Sequence, residues 1–529
     1  MFDYLEYYNN CDVIPMVEAI DKMFLFYRAK NLDMFKDAIS LPGLAYKMLM
    51  NCPNANFSLF EEQDKHLYYM LKNNIRGGPS IIFNRHQEVD KTLIRGKKLC
   101  KSIIGFDNNA MYLNAIMQEM AVGKYKQITE YNIKDLTRDI LNEKLFGFVE
   151  MDIEVPDHLK EYFDEMTPVF KNIEIDATKQ EVIGEHMYDY CKQNNIPLNK
   201  CKKLIGSYFG KKICMFTPLI KWYLKHGLVI TKFYNAIEYG RNACFKQLGE
   251  EVTDARRVGD ADKSMEIIAE TMKLCGNSFY GRTVMDKSRH ISLSYASEAN
   301  IRKKTNDPHF KHADKIADNT YEVLTSKRKI KMDVPIQIGC AVYDYAKLRM
   351  LEFYYNCIDK YIDRSDFQYL CMDTDSAYIA FSAKNFEDLI KPELKEDYLK
   401  NKHKWFPRDD TKENAKFDKR TSCLFKVEYT GKSLISFCPK LYFCEGTDQE
   451  EKKYKFSSKG IQKGNNDITL ERFKKVLNEP GYKDVCTNRG FRVVNNHMIT
   501  YTQEKKALSY YYDKRVVLED GCSTAPLPI

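Results

Sequence analysis

Two apolar runs in this chain end on carboxylates, and that feature narrows the possible folds more than any other. The first run, Ile103 to Phe106, is followed by Asp107. The second, Phe367 to Met372, meets Asp373-Thr374-Asp375 and continues as Ser376 to Phe381. Short apolar runs bounded by turn residues read as buried strands. A carboxylate at the end of such a strand is partly stripped of water and needs a cation to stay charged. Carboxylates brought together from separate strands form a hard-oxygen site for Mg²⁺, which keeps waters and takes its remaining ligands from substrate phosphates. Two such ions stabilise the attacking and leaving oxygens of an in-line phosphoryl displacement. Asp and Ser are ordinary turn residues, so the acidic turn alone decides little.

Its company is the segment Lys273-Leu274-Cys275-Gly276-Asn277-Ser278-Phe279-Tyr280-Gly281. Lys273, Asn277 and Tyr280 stand at i, i+4 and i+7, which at ~100° per residue places them in one narrow helical stripe. A cation for phosphates, an amide and an aromatic plate for a base then face one way.

These three segments resemble motifs A, B and C of family B DNA polymerases, in the family's order. Motif A resembles D-x-x-S-L-Y-P and reads Asp107-Asn108-Asn109-Ala110-Met111-Tyr112-Leu113. Motif B resembles K-x-x-x-N-S-x-Y-G at Lys273, Asn277, Ser278, Tyr280 and Gly281, and motif C resembles Y-x-D-T-D-S with Cys371 at the tyrosine position. Lys440-Leu441-Tyr442 is similar to the K-x-Y primer-holding motif, and Lys459-Gly460 to a thumb entrance. Arg76-Gly77-Gly78 resembles the Y-x-G-G linker, with Ile75 at the tyrosine position; its glycines let DNA approach the backbone.

The resemblance implies an α+β right-hand polymerase fold with an antiparallel palm sheet, helical fingers, a thumb and inserted subdomains. It implies a DNA-directed DNA polymerase, a nucleotidyltransferase extending a primer 3′ end with deoxynucleotides by two-metal phosphoryl transfer. Asp107, Asp373 and Asp375 would be catalytic, with Asp107 and Asp375 the main ligands of two Mg²⁺ ions. Nucleotide would be bound by Tyr112, Lys273, Asn277, Tyr280, and by Arg256 or Arg257 at the tip of a helical hairpin joined near Arg257 to Gly259. Tyr112 would lie under the sugar and exclude a 2′-hydroxyl. Primer-template DNA would meet Arg76, Gly77, Gly78, Lys440, Tyr442 and Lys459. The long stretch between motifs A and B, and a polar excursion from Lys287 to Lys331, resemble the insertions of protein-primed members found in viruses and self-synthesising transposons. A terminal priming protein is the partner that subtype implies.

The domain boundaries expected are 1–50 for an exonuclease remnant, 51–100 for a linker and palm approach, and 101–125 for the motif A palm. An inserted subdomain of terminal-protein-region type (126–230), fingers (231–283) and a second insertion (284–335) follow. The motif C palm takes 336–435 and the thumb 436–529. Residues 1–50 read as helix until Pro42-Gly43, the last 130 residues as charged loops with lysine-rich helices, and Gly521 to Ile529 as a floppy tail. Tyr8 and Asp12 fit the Y-x-x-x-D third exonuclease motif, but Asp152-Ile153-Glu154, which mimics the first, falls after motif A and reads as strand surface. Proofreading is therefore expected to be absent from this chain.

Composition agrees without deciding. The chain has 529 residues, 44% apolar and 29% charged, which is globular rather than disordered or collagenous. A net charge of +8 tolerates a polyanion at local patches. No apolar run is long enough to span a membrane and no signal segment opens the chain, so an intracellular location is expected. Sixteen scattered cysteines without a C-x-x-C pair read as reduced packing residues, and His309 and His312 as surface histidines rather than half a metal site. Three other readings stay open: a decayed polymerase remnant, a nucleic-acid-binding protein with basic, tyrosine-rich surfaces, and a reverse transcriptase, whose adjacent aspartate pair is missing here.

Overall fold

The computed structural model describes residues 2–494 and 497–529. Its centre is an eight-stranded sheet in the order Ser80–Ile82, Phe367–Asp373, Ser376–Phe381, Ser102–Asn108, Phe425–Cys438, Leu441–Gly446 and Tyr454–Ser458, with His86–Glu88 also paired to Phe425–Cys438. Every pairing in it is antiparallel. The two acid-tipped runs thus lie in one sheet, separated by the strand Ser376–Phe381 that pairs with both.

Alternation divides the sheet's side chains between two cores. Ile104 and Phe106 point to one, which holds the helix Ile336–Glu352 and its continuation. That helix widens into a π-turn, Phe353–Ile358, the kind of local widening found mostly at functional sites. Phe353 stacks on Phe425 at 3.7 Å and meets Phe106 edge-on at 5.6 Å. Ile103 and Tyr378 point to the other core, closed by the helices Glu185–Gln193 and Leu470–Asn478 and by the C-terminal residues. Gly105 is required between them, because a Cβ there would sit 2.6 Å from the Tyr378 ring.

The segment between the first two motifs folds as a four-stranded sheet, Met120–Ile128, Val229–Asn242, Gly147–Glu154 and Phe209–Phe216, with a hairpin Val169–Asp176 and Lys200–Ser207. Asp152 lies on its surface, accepting from the Lys212 amide and Tyr234 hydroxyl. The polar excursion forms a three-stranded sheet, Ile291–Ala296, Thr320–Ser326 and Phe310–Ala317. In it His309 and His312 are each paired with a nearby aspartate, Asp307 and Asp314, as surface histidines.

Several local expectations need correction. Residues 229–242 are a strand of the four-stranded sheet, ahead of the helical hairpin. The helical hairpin is Lys246–Ala261 and Glu266–Ser278, joined at Asp262 to Met265, so Arg256 and Arg257 lie within a helix rather than at its tip. Asp262 caps the joint by accepting from the Ser264 amide, a role the polar pattern around Arg257 hid. Pro42 and Gly43 open the helix Leu41–Met50 instead of ending one, since proline fits a first turn. The helices Phe2–Ala29 and Leu41–Met50 share a core with the hairpin, Tyr27 meeting Cys275 at 3.3 Å. Tyr8 and Asp12 are exposed.

The C-terminal third is mainly strand. The sheet continues past residue 435 through Leu441–Gly446 and Tyr454–Ser458, and an exposed ribbon, Val485–Val494 with His497–Lys506, follows. The last residues are packed rather than floppy: Val517 and Leu527 are buried, Arg85 donates to the Gly521 carbonyl, and Ser207 to that of Ile529. Among the described residues all sixteen cysteines are free, and no helix is long and apolar enough to cross a membrane.

Phe106 joins the central strand to three aromatic neighbours, Phe353, Phe386 and Phe406. Phe106→Ala is expected to destabilise the protein by ~3–5 kcal/mol, read as a lower denaturant midpoint with an unchanged slope.

Candidate active site

Register builds the site. Ser80, Asp373, Ser376, Asp107 and Lys426 are successive cross-strand partners. Partners in one row share a face, and strands lie about 4.8 Å apart. Asp373 and Asp107 therefore project from the same face two strands apart. Asp375 stands at the turn between them, its carbonyl accepting from the Asn108 amide at 2.8 Å.

The turn is tight and strained. The Asp375 amide donates to the Asp373 carbonyl at 2.7 Å across Thr374, whose φ is 65°. A β-branched residue rarely adopts that conformation, and such strain gathers at functional sites. Thr374 is held from behind, its amide donating to the Pro79 carbonyl at 2.9 Å. Gly78 makes room: a Cβ there would come within 2.4 Å of the Thr374 methyl and 2.9 Å of the Tyr112 hydroxyl. Gly77 has open space around it.

Electrostatics distinguish the three carboxylates. Burial, and next the charge of Asp107, push the Asp375 carboxyl up to about 6. Asp107 pairs with Lys426 at 2.9 Å. Asp373 has a buried Oδ1 without a hydrogen bond, facing the Lys440 ammonium at 3.5 Å. Lys440 reaches it from a hairpin turn at φ 63°. Each outer carboxylate thus has a lysine as counter-charge, and among the described residues Asp375 between them has none.

That arrangement fits a divalent cation held by two carboxylates. Among the described residues no three His, Cys, Asp or Glu side chains gather closely enough to hold a metal alone. Mg²⁺ commonly uses one or two carboxylates and completes its shell from water and phosphate, which suits Asp107 and Asp375. Lys426 sits on the Oδ2 atom of Asp107.

Two residues near these carboxylates escaped the sequence reading. Lys426 is one, visible in retrospect from the alternation along Phe425–Cys438. Glu428 is the other: the register slips between Val427 and Tyr429, and this bulge leaves Glu428 unpaired beside Asp375 and bonded to Lys455. No sequence signal announces a bulge.

The structure brings Tyr112 and Tyr280 together and adds a third ring. Tyr112 and Tyr280 stack at 4.9 Å with ring planes 26° apart. Tyr343, from the helix Ile336–Glu352, meets both edge-on at 6.2 and 5.4 Å. Burial raises the hydroxyls of Tyr112 and Tyr280 above the ordinary phenol range, so both stay protonated.

Lys273 and Asn277 lie on the exposed side of their helix, Lys273 paired with Glu270 at 2.9 Å, and Tyr280 follows just past the helix end. Arg256 is half-buried near Arg420, which lowers its basicity after burial itself. Arg257 is already engaged: it lies 3.6 Å over the Phe417 ring and donates to the Thr421 hydroxyl, while Arg420 pairs with Asp260. Tyr442 packs 5.3 Å from Tyr378. Lys459 is exposed, its amide donating to the Lys440 carbonyl. Arg76 corrects the expectation of a DNA-facing side chain. It is buried, donating to Asp344 at 3.2 Å and to the Cys214 carbonyl at 2.9 Å, so it anchors Gly77-Gly78 from inside.

A sheet of this order, with helical hairpin, insertions and ribbon, is a DNA polymerase-like fold. Phi29 DNA polymerase complexed with primer-template DNA and incoming nucleotide is similar at TM-score 0.53 and 12% identity, over 90% of this chain and 69% of that one. Its primer-template binary complex is similar at TM-score 0.52, also 12% identical, over 91% and 69%. Its complex with single-stranded DNA gives 0.51 and 12% over 89% and 68%. No protein-family model and no curated sequence matches the chain.

Since the raised carboxyl of Asp375 binds its proton more readily folded than unfolded, its charge costs stability above about pH 6 and nothing below its ordinary value of 3.8. Asp375→Asn is therefore expected to raise the metal-free melting temperature at pH 7, and the gain should vanish as the pH falls from about 6 to 3.8.

Proposed function

We propose that this chain is a DNA-directed DNA polymerase that extends a primer 3′ end with deoxynucleotides, in the replication of a virus or mobile element. The observation that carries the reading is the register row that pairs Asp107 with Ser376, whose chain neighbour Asp375 feels the Asp107 charge, with the Tyr112–Tyr280 stack close to the same carboxylates. Asp107 and Asp375 would hold two Mg²⁺ ions between them, completed by water and the nucleotide's phosphates. When bound, such cations supply the charge that makes a primer hydroxyl more acidic and offsets the negative triphosphate.

The chain's own residues do the rest. Lys426 gives up Asp107 as a stronger counter-charge arrives, and Asp373, held by Lys440, keeps a negative field at the turn. Lys273 leaves Glu270 for the triphosphate, with Arg256 adding charge from the facing helix. Asn277 and Tyr280 shape the base-pair pocket. Tyr112 closes the space beneath the sugar. Tyr442 and Lys440 hold the primer end, Gly77-Gly78 let the strand approach, and Lys459 meets its backbone with the exposed ribbon beyond. Folded insertions after motifs A and B support the protein-primed subtype and a terminal priming protein as partner.

Primer extension on a DNA template with Mg²⁺ tests this. The chain is expected to add deoxynucleotides, and Asp375→Ala or Asp107→Ala to abolish addition, a loss of about 10³-fold or more. DNA binding without extension would instead leave a nucleic-acid-binding protein or a decayed polymerase.

A further inference from the structure

Rejection of a ribonucleotide needs a wall that does not yield. An apolar pocket that merely meets an extra hydroxyl discriminates only about 100-fold, so the ring under the sugar must be braced. Tyr112 is braced on three sides. Tyr280 covers one face, Gly78 closes on its hydroxyl end, and Tyr343 meets it edge-on with planes 83° apart. Tyr343 also stands edge-on to Tyr280, again at 83°, so one ring supports both members of the stack. Edge-to-face pairs at these separations are attractive beyond their buried area.

Tyr343 is itself fastened. Lys347, one turn on in the same helix and 1% exposed, donates to the Tyr343 carbonyl at 2.9 Å and to the Arg76 carbonyl at 2.6 Å. One buried ammonium thus ties the helix bearing Tyr343 to the linker bearing Gly78, two walls of the same pocket. Asp344, beside Tyr343, holds the Arg76 guanidinium from the same helix. None of these three residues belongs to the motif segments.

We propose that Tyr343 is a specificity-determining residue: it keeps Tyr112 from tilting away from the sugar and so sets how strongly ribonucleotides are excluded. This rests on the polymerase reading. The ring edge does the work, and the phenol oxygen is dispensable.

The test is steady-state primer extension with each deoxynucleotide and its ribonucleotide counterpart, comparing wild type, Tyr343→Ala and Tyr343→Phe. Tyr343→Ala is expected to lower the deoxy-to-ribo ratio of kcat/KM about tenfold, the loss of two edge contacts. The change should appear mainly as a lower KM for the ribonucleotide. Tyr343→Phe should keep the wild-type ratio. Should the alanine variant fail to fold, Tyr343→Leu, which keeps bulk without a ring, reads the same ratio. An unchanged ratio in the alanine or leucine variant, an equal fall for both nucleotides, or a phenylalanine variant as permissive as alanine overturns the inference alone. A wild-type chain that extends no primer overturns the polymerase reading and this inference together.

Discussion

Everything here depends on the partial burial of one carboxylate. Asp375 sits at one end of a packed antiparallel sheet, and the neighbouring charge of Asp107 adds to burial in pushing its carboxyl up. Such a pair persists only where something offsets the repulsion. Lysines serve on the flanks, and among the described residues Asp375 has no such counter-charge. The strained turn at Thr374, Gly78 behind it and the hairpin turn that aims Lys440 all hold this arrangement. Stability is given up locally for a charge distribution that two well-packed cores sustain.

Much of that was legible in the sequence, for physical reasons. Strand pairing follows from apolar runs, and the acidic ends of Ile103 to Phe106 and Phe367 to Met372 gave away which edge matters. The motif positions singled out Tyr112 and Tyr280, but not that the two rings stack on each other. Long-range features were hidden. Arg76 looked like a cation for phosphate because its partner Asp344 lies 268 residues away. Glu428 owes its position to a bulge, which depends on a register set by two other strands. The C-terminal residues looked like a tail, yet their carbonyls are what a fully buried Arg85 needs as acceptors.

The helical hairpin shows a different limit. Its boundaries were misplaced because Arg257 to Gly259 read as a break, whereas Asp262 provides the cap and Gly259 packs its bare Cα against the facing helix at Ala269. The pairing of Arg420 with Asp260 and of Arg257 with Phe417 then binds the hairpin to the segment following motif C.

The most direct check of the central claim is the position of Mn²⁺ in crystals grown with primer-template DNA and a nucleotide, located by its anomalous scattering. The account predicts a peak shared by the carboxylates of Asp107 and Asp375, with the Lys426 ammonium moved off Asp107. Density for the metal elsewhere, with the lysine still seated on that aspartate, would contradict it.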